Sequence, residues 1–168
     1  MLTPIPVTTR ELDPDFLALT SAQEDTLLRA ARLLTGDWDA AEELLRDTLA
    51  WALSGWGSLG GDAAAPLRLR QRLVETYLEW EPPPPGEEDE AGAGIDGGGT
   101  EAGAASPARG PSALTESLAR LPADERAVVV SRYYLGLSGA EIGEVLRVGT
   151  EDVAAAAARA LTVLRWAR

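Results

Sequence analysis

Apolar positions along the chain fall into two blocks with a polar gap between them. In the first block, Phe16, Leu19, Leu27, Ala31 and Leu34 are spaced to share one helical face, and Leu28 and Leu33 widen it. Asp13 can cap that helix with Pro14 at its first position, and Gly36 ends it. Asp37 can cap a second helix whose buried stripe is Ala41, Leu44, Leu45, Thr48, Leu49 and Ala52. Gly55, Gly57, Gly60 and Gly61 predict a loop. Pro66 then starts a third helix carrying Leu67, Leu69, Leu73, Val74, Tyr77 and Leu78.

The second block predicts four shorter helices. Ser112 caps 113–120, and Pro122 opens 122–135 with Val128, Val129, Tyr133 and Leu135 turned inward. Ser138 and Glu141 have the S-x-x-E spacing of a capping box for 139–147. Thr150 caps a last helix running to about Ala167. Between the blocks, "EPPPPGEEDEAGAGIDGGGTEAGAASPARGP" (81–111) has Ile95 as its only branched aliphatic residue. Such a segment buries too little apolar surface to offset its ordering entropy. It is expected to be a flexible, extended tether, with Pro82–Pro85 stopping the preceding helix. With no period-two alternation, the pattern predicts an all-α fold of two small lobes. These are a three-helix lobe over 13–80 and a four-helix lobe over 112–168, joined by an acidic linker over 81–111.

Composition narrows the chemistry. The chain has no histidine and no cysteine, so the commonest general base, the commonest transition-metal ligand and any thiolate are missing. No Gly-rich phosphate loop, nucleophile elbow or spaced ligand set occurs. An enzyme, a cofactor and a metal site are therefore not expected. No apolar run is long enough to span a membrane and the N-terminus lacks a secretory pattern, so no membrane insertion and a cytoplasmic location are expected. All 15 basic residues are arginine, which with the high Ala and Gly content suggests a GC-rich genome. The net charge of −12 argues against tight general affinity for DNA. The acidity is uneven: residues 1–80 and 81–110 each carry a net −6, and 111–168 are neutral.

Two pairs of stretches carry a family resemblance. "LLRAARLLTGDWDAAEELLRDTLAWALSGW" (27–56) and "PLRLRQRLVETYLEW" (66–80) resemble the promoter-melting and core-binding domain of extracytoplasmic-function (ECF) sigma factors of actinobacterial type. "LARLPADERAVVVSRYYLGLSGAEIGEVLRV" (118–148) and "ARALTVLR" (158–165) resemble their C-terminal helix-turn-helix domain. The order, spacing and linker position also match, over about 16–80 and 112–166. The resemblance implies a transcription initiation factor. Its first lobe would bind core RNA polymerase through the second helix and the −10 element through the lobe's end. Its last helix would meet the −35 element, and an anti-sigma factor could hold it inactive.

Carried onto this chain, the polymerase-facing helix corresponds to "DAAEELLRDTLAWA" (39–52). Asp39, Glu42, Glu43 and Asp47 could steer docking onto a basic surface, and Leu45 and Trp51 are candidate anchors. A solvated face and a buried core are the competing readings. For the −10 element, Arg68, Arg70 and Arg72 could contact phosphate and Trp80 could stack on a base. Arg72 could equally pair with Glu75 or Glu79. Where the family continues with a basic cluster after the position of Tyr77, this chain turns acidic.

The last helix departs furthest from the family. Its front carries Thr150, Glu151, Asp152, Ala154, Ala155 and Ala156, where small polar and basic residues would read bases. Arg159 lies further along and could reach only the DNA backbone. Acids at a helix N-terminus suit the macrodipole but repel phosphate. Arg147 occupies a turn slot where the family commonly has glycine, which implies either some left-handed strain or a shifted turn there. The expectation is thus a degenerate, ECF-sigma-like regulator that binds core polymerase or an anti-sigma factor, with promoter DNA contact weak or absent. The alternatives are a working sigma factor for an unusual promoter, and an interaction module or homodimer built on the alanine-rich helix.

Overall fold

The computed structural model describes residues 13–59, 63–80 and 112–166. The expected linker 81–111, with Pro82–Pro85 and its acids, lies outside the described residues, as do Gly60 and Gly61. Among the described residues every regular element is helical. α1 (Pro14–Thr35), α2 (Trp38–Ser54), α3 (Trp56–Leu59) and α4 (Ala65–Glu79) form the first lobe. α5 (Ala113–Ala119), α6 (Ala123–Val129), a π turn (Val130–Tyr134), α7 (Gly139–Leu146) and α8 (Thr150–Trp166) form the second.

The helix ends follow local chemistry. Asp13 accepts from the Asp15 N–H with Pro14 in the first turn, and Gly36 closes α1 in the left-handed region at φ +83°. Asp37 accepts from the N–H groups of Asp39 and Ala40, which starts α2. Ser112 accepts from Thr115, and the Ser138–Glu141 capping box forms in both directions. Thr150 is different: the helix already includes it, and the Gly149 carbonyl accepts from the Val153 N–H. Gly149 therefore takes the place expected of Thr150. The glycine-rich stretch after α2 also holds more structure than a loop, because Trp56 packs edge-on against Phe16 at 5.2 Å and draws one helical turn with it.

The core runs through both lobes without a break. Leu27, Leu34, Leu44, Leu69, Leu73 and Val74 fill the first, and Val128, Val130, Leu135, Ile142 and Val153 the second; all are fully buried and belong to one apolar cluster. α1 packs on α2, α4 on both α1 and α2, and α8 on α6 and α7. Across the lobes, α4 lies on α6 and α7, while α1 meets α5, α6 and the π turn.

The π turn corrects one expectation. Tyr133 was placed inward on an α-helical period, yet it is 58% exposed. The Leu135 N–H donates to the Val130 carbonyl five residues back, and the Leu137 N–H donates to Ser131. This wider turn brings Leu135, not Tyr133 or Tyr134, into line beneath Val130. Gly136 then reverses the chain at φ +72°.

The turn between α7 and α8 has two tight constraints. Arg147 sits at φ 58°, ψ 40°, and is the one non-glycine residue with positive φ among those described. A left-handed conformation there costs an L-residue about 1–2 kcal/mol. At Gly143 an added Cβ would lie 2.8 Å from the Val148 carbonyl oxygen. Arg147→Gly is therefore expected to stabilise the protein by about 0.5–1 kcal/mol, after the entropy that glycine adds to the unfolded chain. Gly143→Ala should destabilise it by about 1–3 kcal/mol through forced backbone movement. Denaturant melts of both variants check the pair, and a destabilised Arg147→Gly would contradict the strain.

Glu141 gives a pH-dependent companion. The Ser138 backbone N–H, donated to its carboxylate at 2.7 Å, holds Glu141 below the ordinary carboxylate range. A lowered folded pKa gives stability that is present above the unfolded value and lost as pH falls through the folded one. The stability gap between wild type and Glu141→Ala should thus shrink as pH drops below the usual glutamate range. A gap that stays constant on acid titration would refute the capping contact.

Candidate functional site

α2 places its apolar stripe against α1 and α4, which leaves its opposite face to solvent. On that face Asp39, Glu42, Glu43 and Asp47 are all exposed. Arg46 stands among them, also exposed. Leu45 is not on this surface: it is 7% exposed and packs in the core beside Leu44. It follows Ala41 by one helical turn, so the stripe that buries Ala41 carries Leu45 inward. Leu45 is accordingly corrected from candidate anchor to core residue. Trp51 is 36% exposed and forms the C-terminal edge of the acidic face.

Trp51 ties this face to α4. The Arg72 guanidinium lies over its ring, 5.5 Å from the centroid. The same guanidinium donates to Glu75 and Glu79, each at 3.3 Å. Arg72 is therefore held by two carboxylates of its own helix and an aromatic face of the next. It is not presented to solvent as an open cation.

The three arginines of α4 diverge. Arg68 is exposed near the start of the helix. Arg70 turns toward the second lobe, where its Nη1 donates to the Leu135 carbonyl at 3.2 Å. Its Nε and Nη2 donate to Gln23 Oε1 of α1 at 3.2 and 3.1 Å. Sequence spacing grouped the three by residue type, but their partners separate them. Trp80 is half-buried at the C-terminus of α4, with its N–H donated to Tyr77.

Arg126 was not singled out in the sequence, and it is the most connected side chain between the lobes. Its Nη1 donates to Leu34 near the end of α1 at 2.8 Å. Its other nitrogens donate to Leu118, Ala119 and Leu121 at and beyond the end of α5, at 2.9–3.1 Å. The last carbonyls of a helix have no partner within it, so one cation serves two helix ends. Burial pushes the nearby Tyr77 hydroxyl up in pKa, and Arg126 partly offsets this. No spacing rule could have found this residue, since its acceptors are backbone atoms distant in sequence.

A groove of about 640 Å³ opens between α4 and α7, lined by residues that include Arg72, Glu75, Leu78, Glu79, Glu144 and the strained Arg147. Beyond it, α8 turns Glu151, Asp152, Ala154 and Ala155 to solvent. Ala156 is buried with Ala157 and Ala160 against the rest of the lobe, so it is corrected from a reading position to a packing one. Arg159 is exposed but tied to Glu125 of α6 at 2.7 Å. Leu161 and Val163, further along α8, are also exposed.

These features match known proteins in two ways. Residues 112–164 match the family model for sigma-70 region 4. No match was found among curated proteins. In structure, the chain is similar to one in the co-crystal structure of the sigma factor RpoE in complex with the anti-sigma factor NepR from Bartonella quintana. The TM-score is 0.67 at 18% identity, covering 92% of this chain and 97% of that one. At that identity the likeness concerns the fold. The architecture is thus a sigma-factor-like helical fold whose second lobe carries the region 4 helix-turn-helix.

Proposed function

We propose that this protein is an ECF-sigma-like transcription regulator that engages core RNA polymerase, or an anti-sigma factor, through the acidic face of α2. The observation that carries this reading is the exposed row Asp39, Glu42, Glu43 and Asp47, edged by Trp51, on the lobe that precedes a region 4 match. Carboxylates spread over one helix face steer a basic partner into register, and a half-exposed Trp beside them supplies a desolvated anchor. That the structural relative was solved with an anti-sigma factor supports a protein partner of this kind.

Promoter DNA is a weak partner in this reading. The outward face of α8 offers carboxylates and methyl groups in place of the forked donors that discriminate bases. Arg159, the nearest cation on that helix, is neutralised by Glu125. The chain is in this sense a degenerate member of its kind, with protein contacts retained and base readout reduced. A second reading is self-association. Ala154, Ala155 and Ala158 are exposed on one side of α8 near Leu161, an apolar face on which a second helix could approach closely. Light scattering separates the two, because the primary reading needs only a monomer.

The primary reading predicts association of the purified chain with core polymerase at or below micromolar concentration. Exposed charges contribute about 0.2–1 kcal/mol each. Changing Asp39, Glu42, Glu43 and Asp47 together to their amides should therefore weaken the complex about tenfold or more. Fluorescence anisotropy of the labelled chain reads both. No association of the wild type up to micromolar polymerase, or equal binding by the neutralised variant, would sink the assignment of this surface.

A further inference from the structure

We propose that Arg72 is a positioning residue for the partner-binding face of α2: it holds the ring of Trp51 in one orientation at the C-terminal edge of that face, where the ring meets an apolar group of the partner. The inference rests on the reading of the acidic face as a partner surface. It goes beyond that reading by giving a role to a residue of another helix, which acts through Trp51 and not by touching the partner.

Trp51 follows Asp47 by one helical turn, so the indole continues the row of carboxylates. It is 36% exposed. An exposed indole loses rotamer freedom when a partner closes on it, and affinity falls accordingly. Here that freedom is already reduced in the free protein. The Arg72 guanidinium lies 5.5 Å from the ring centroid, within cation–π range. It is held in turn by Glu75 and Glu79, each at 3.3 Å, one and two turns further along α4. The cation and both carboxylates stand on one helix, and that helix packs directly on α2. The other end of α2 repeats the arrangement: Arg32 of α1 lies over the Trp38 ring, again 5.5 Å from the centroid. A guanidinium from a neighbouring helix thus caps an indole at each end of the acidic row.

The clamp also sets the chemistry that Trp51 offers. A cation is drawn to an indole by the negative charge of the ring face. Arg72 already draws on that charge, and Glu75 and Glu79 already balance Arg72. A second cation gains little at this point, whereas an aliphatic side chain gains by covering the exposed part of the ring. The complementary surface therefore sets basic groups against Asp39, Glu42, Glu43 and Asp47, and an apolar group against Trp51.

Binding of the labelled full chain to core RNA polymerase tests this, with NMR of the free protein as a companion. Arg72→Gln should weaken binding about three- to tenfold, as expected when one side chain is immobilised only on association. Arg72→Lys, which keeps a cation over the ring, should bind within about twofold of the parent. Trp51→Ala combined with Arg72→Gln should bind like Trp51→Ala alone, because Arg72 acts through Trp51. The loss caused by Trp51→Ala should be equal at low and high salt, as for an apolar contact. In the free protein, the Trp51 indole N–H resonance should shift and broaden in Arg72→Gln and recover in Arg72→Lys. Circular dichroism shows that each variant is folded. Glu75→Gln with Glu79→Gln, which releases the guanidinium without removing it, should also weaken binding and is read where Arg72→Gln does not fold. Parent-like binding by the loosened variant, or additive losses in the Trp51–Arg72 double variant, overturns the positioning role while leaving the assignment of α2 intact. A Trp51→Ala loss that shrinks as salt rises overturns the apolar contact. No binding by the parent protein overturns the reading of α2 and this inference with it.

Discussion

The bonds from Arg126 to the ends of α1 and α5 organise much of the remaining structure. A helix leaves its last carbonyls open, and two helices ending at one place would leave several such groups in a poorly hydrated junction. One guanidinium answers them with four hydrogen bonds, to Leu34, Leu118, Ala119 and Leu121. Hydrogen bonds to a charged group contribute about 1.5–3 kcal/mol each, net of the exchange with water. The end of α1 is thereby fixed against the start of the second lobe. α4, lying between α1 and α6, is placed by the same contact. From that placement follow the groove beside α7 and the reach of Arg70 to Leu135.

Several cations among the described residues are committed to internal work. Arg126 serves helix ends, Arg159 holds Glu125, and Arg72 holds two carboxylates and an indole. Arg32 is buried over the Trp38 ring at 5.5 Å. With so many guanidiniums used for structure, the exposed charge of the described helices is dominated by acids. That balance is the electrostatic ground of the proposed basic protein partner. Acidity on α2 and acidity at the front of α8 then have different meanings. On α2 it lies on a face that is exposed among the described residues. On α8 it takes up the helix terminus where a phosphate would otherwise sit.

What the sequence made legible was local. Asp13, Asp37, Ser112 and Ser138 each sit within three residues of the N–H they satisfy, so the helix starts could be placed from spacing alone. The strain at Arg147 was foreseen only through the resemblance, which has glycine in that slot, and with a shifted turn as its alternative. The misplacements arise where a distant contact outweighs the local pattern. Tyr133 lies outside because a π turn changes the period between Val130 and Leu135. Leu45 was read both as stripe and as anchor, and the local stripe, one turn on from Ala41, is the reading that holds. Trp56 draws its neighbours into a helical turn through Phe16, forty residues away. The roles of Arg70 and Arg126 were hidden more deeply. Their acceptors are carbonyls, which every residue has and no sequence pattern marks.

The carbonyl acceptors also decide how the molecule responds to ionic strength. Mobile ions screen a pair of opposite charges far more than they screen a cation held against a neutral dipole in a partly buried site. Two fastenings across the lobe boundary among the described residues, Arg70 to Leu135 and Arg126 to Leu34, are of the second kind. A guanidinium on phosphate, and a row of carboxylates on a basic partner, are of the first. Raising salt therefore weakens any contact of the first kind with a partner while leaving the lobes fastened to each other.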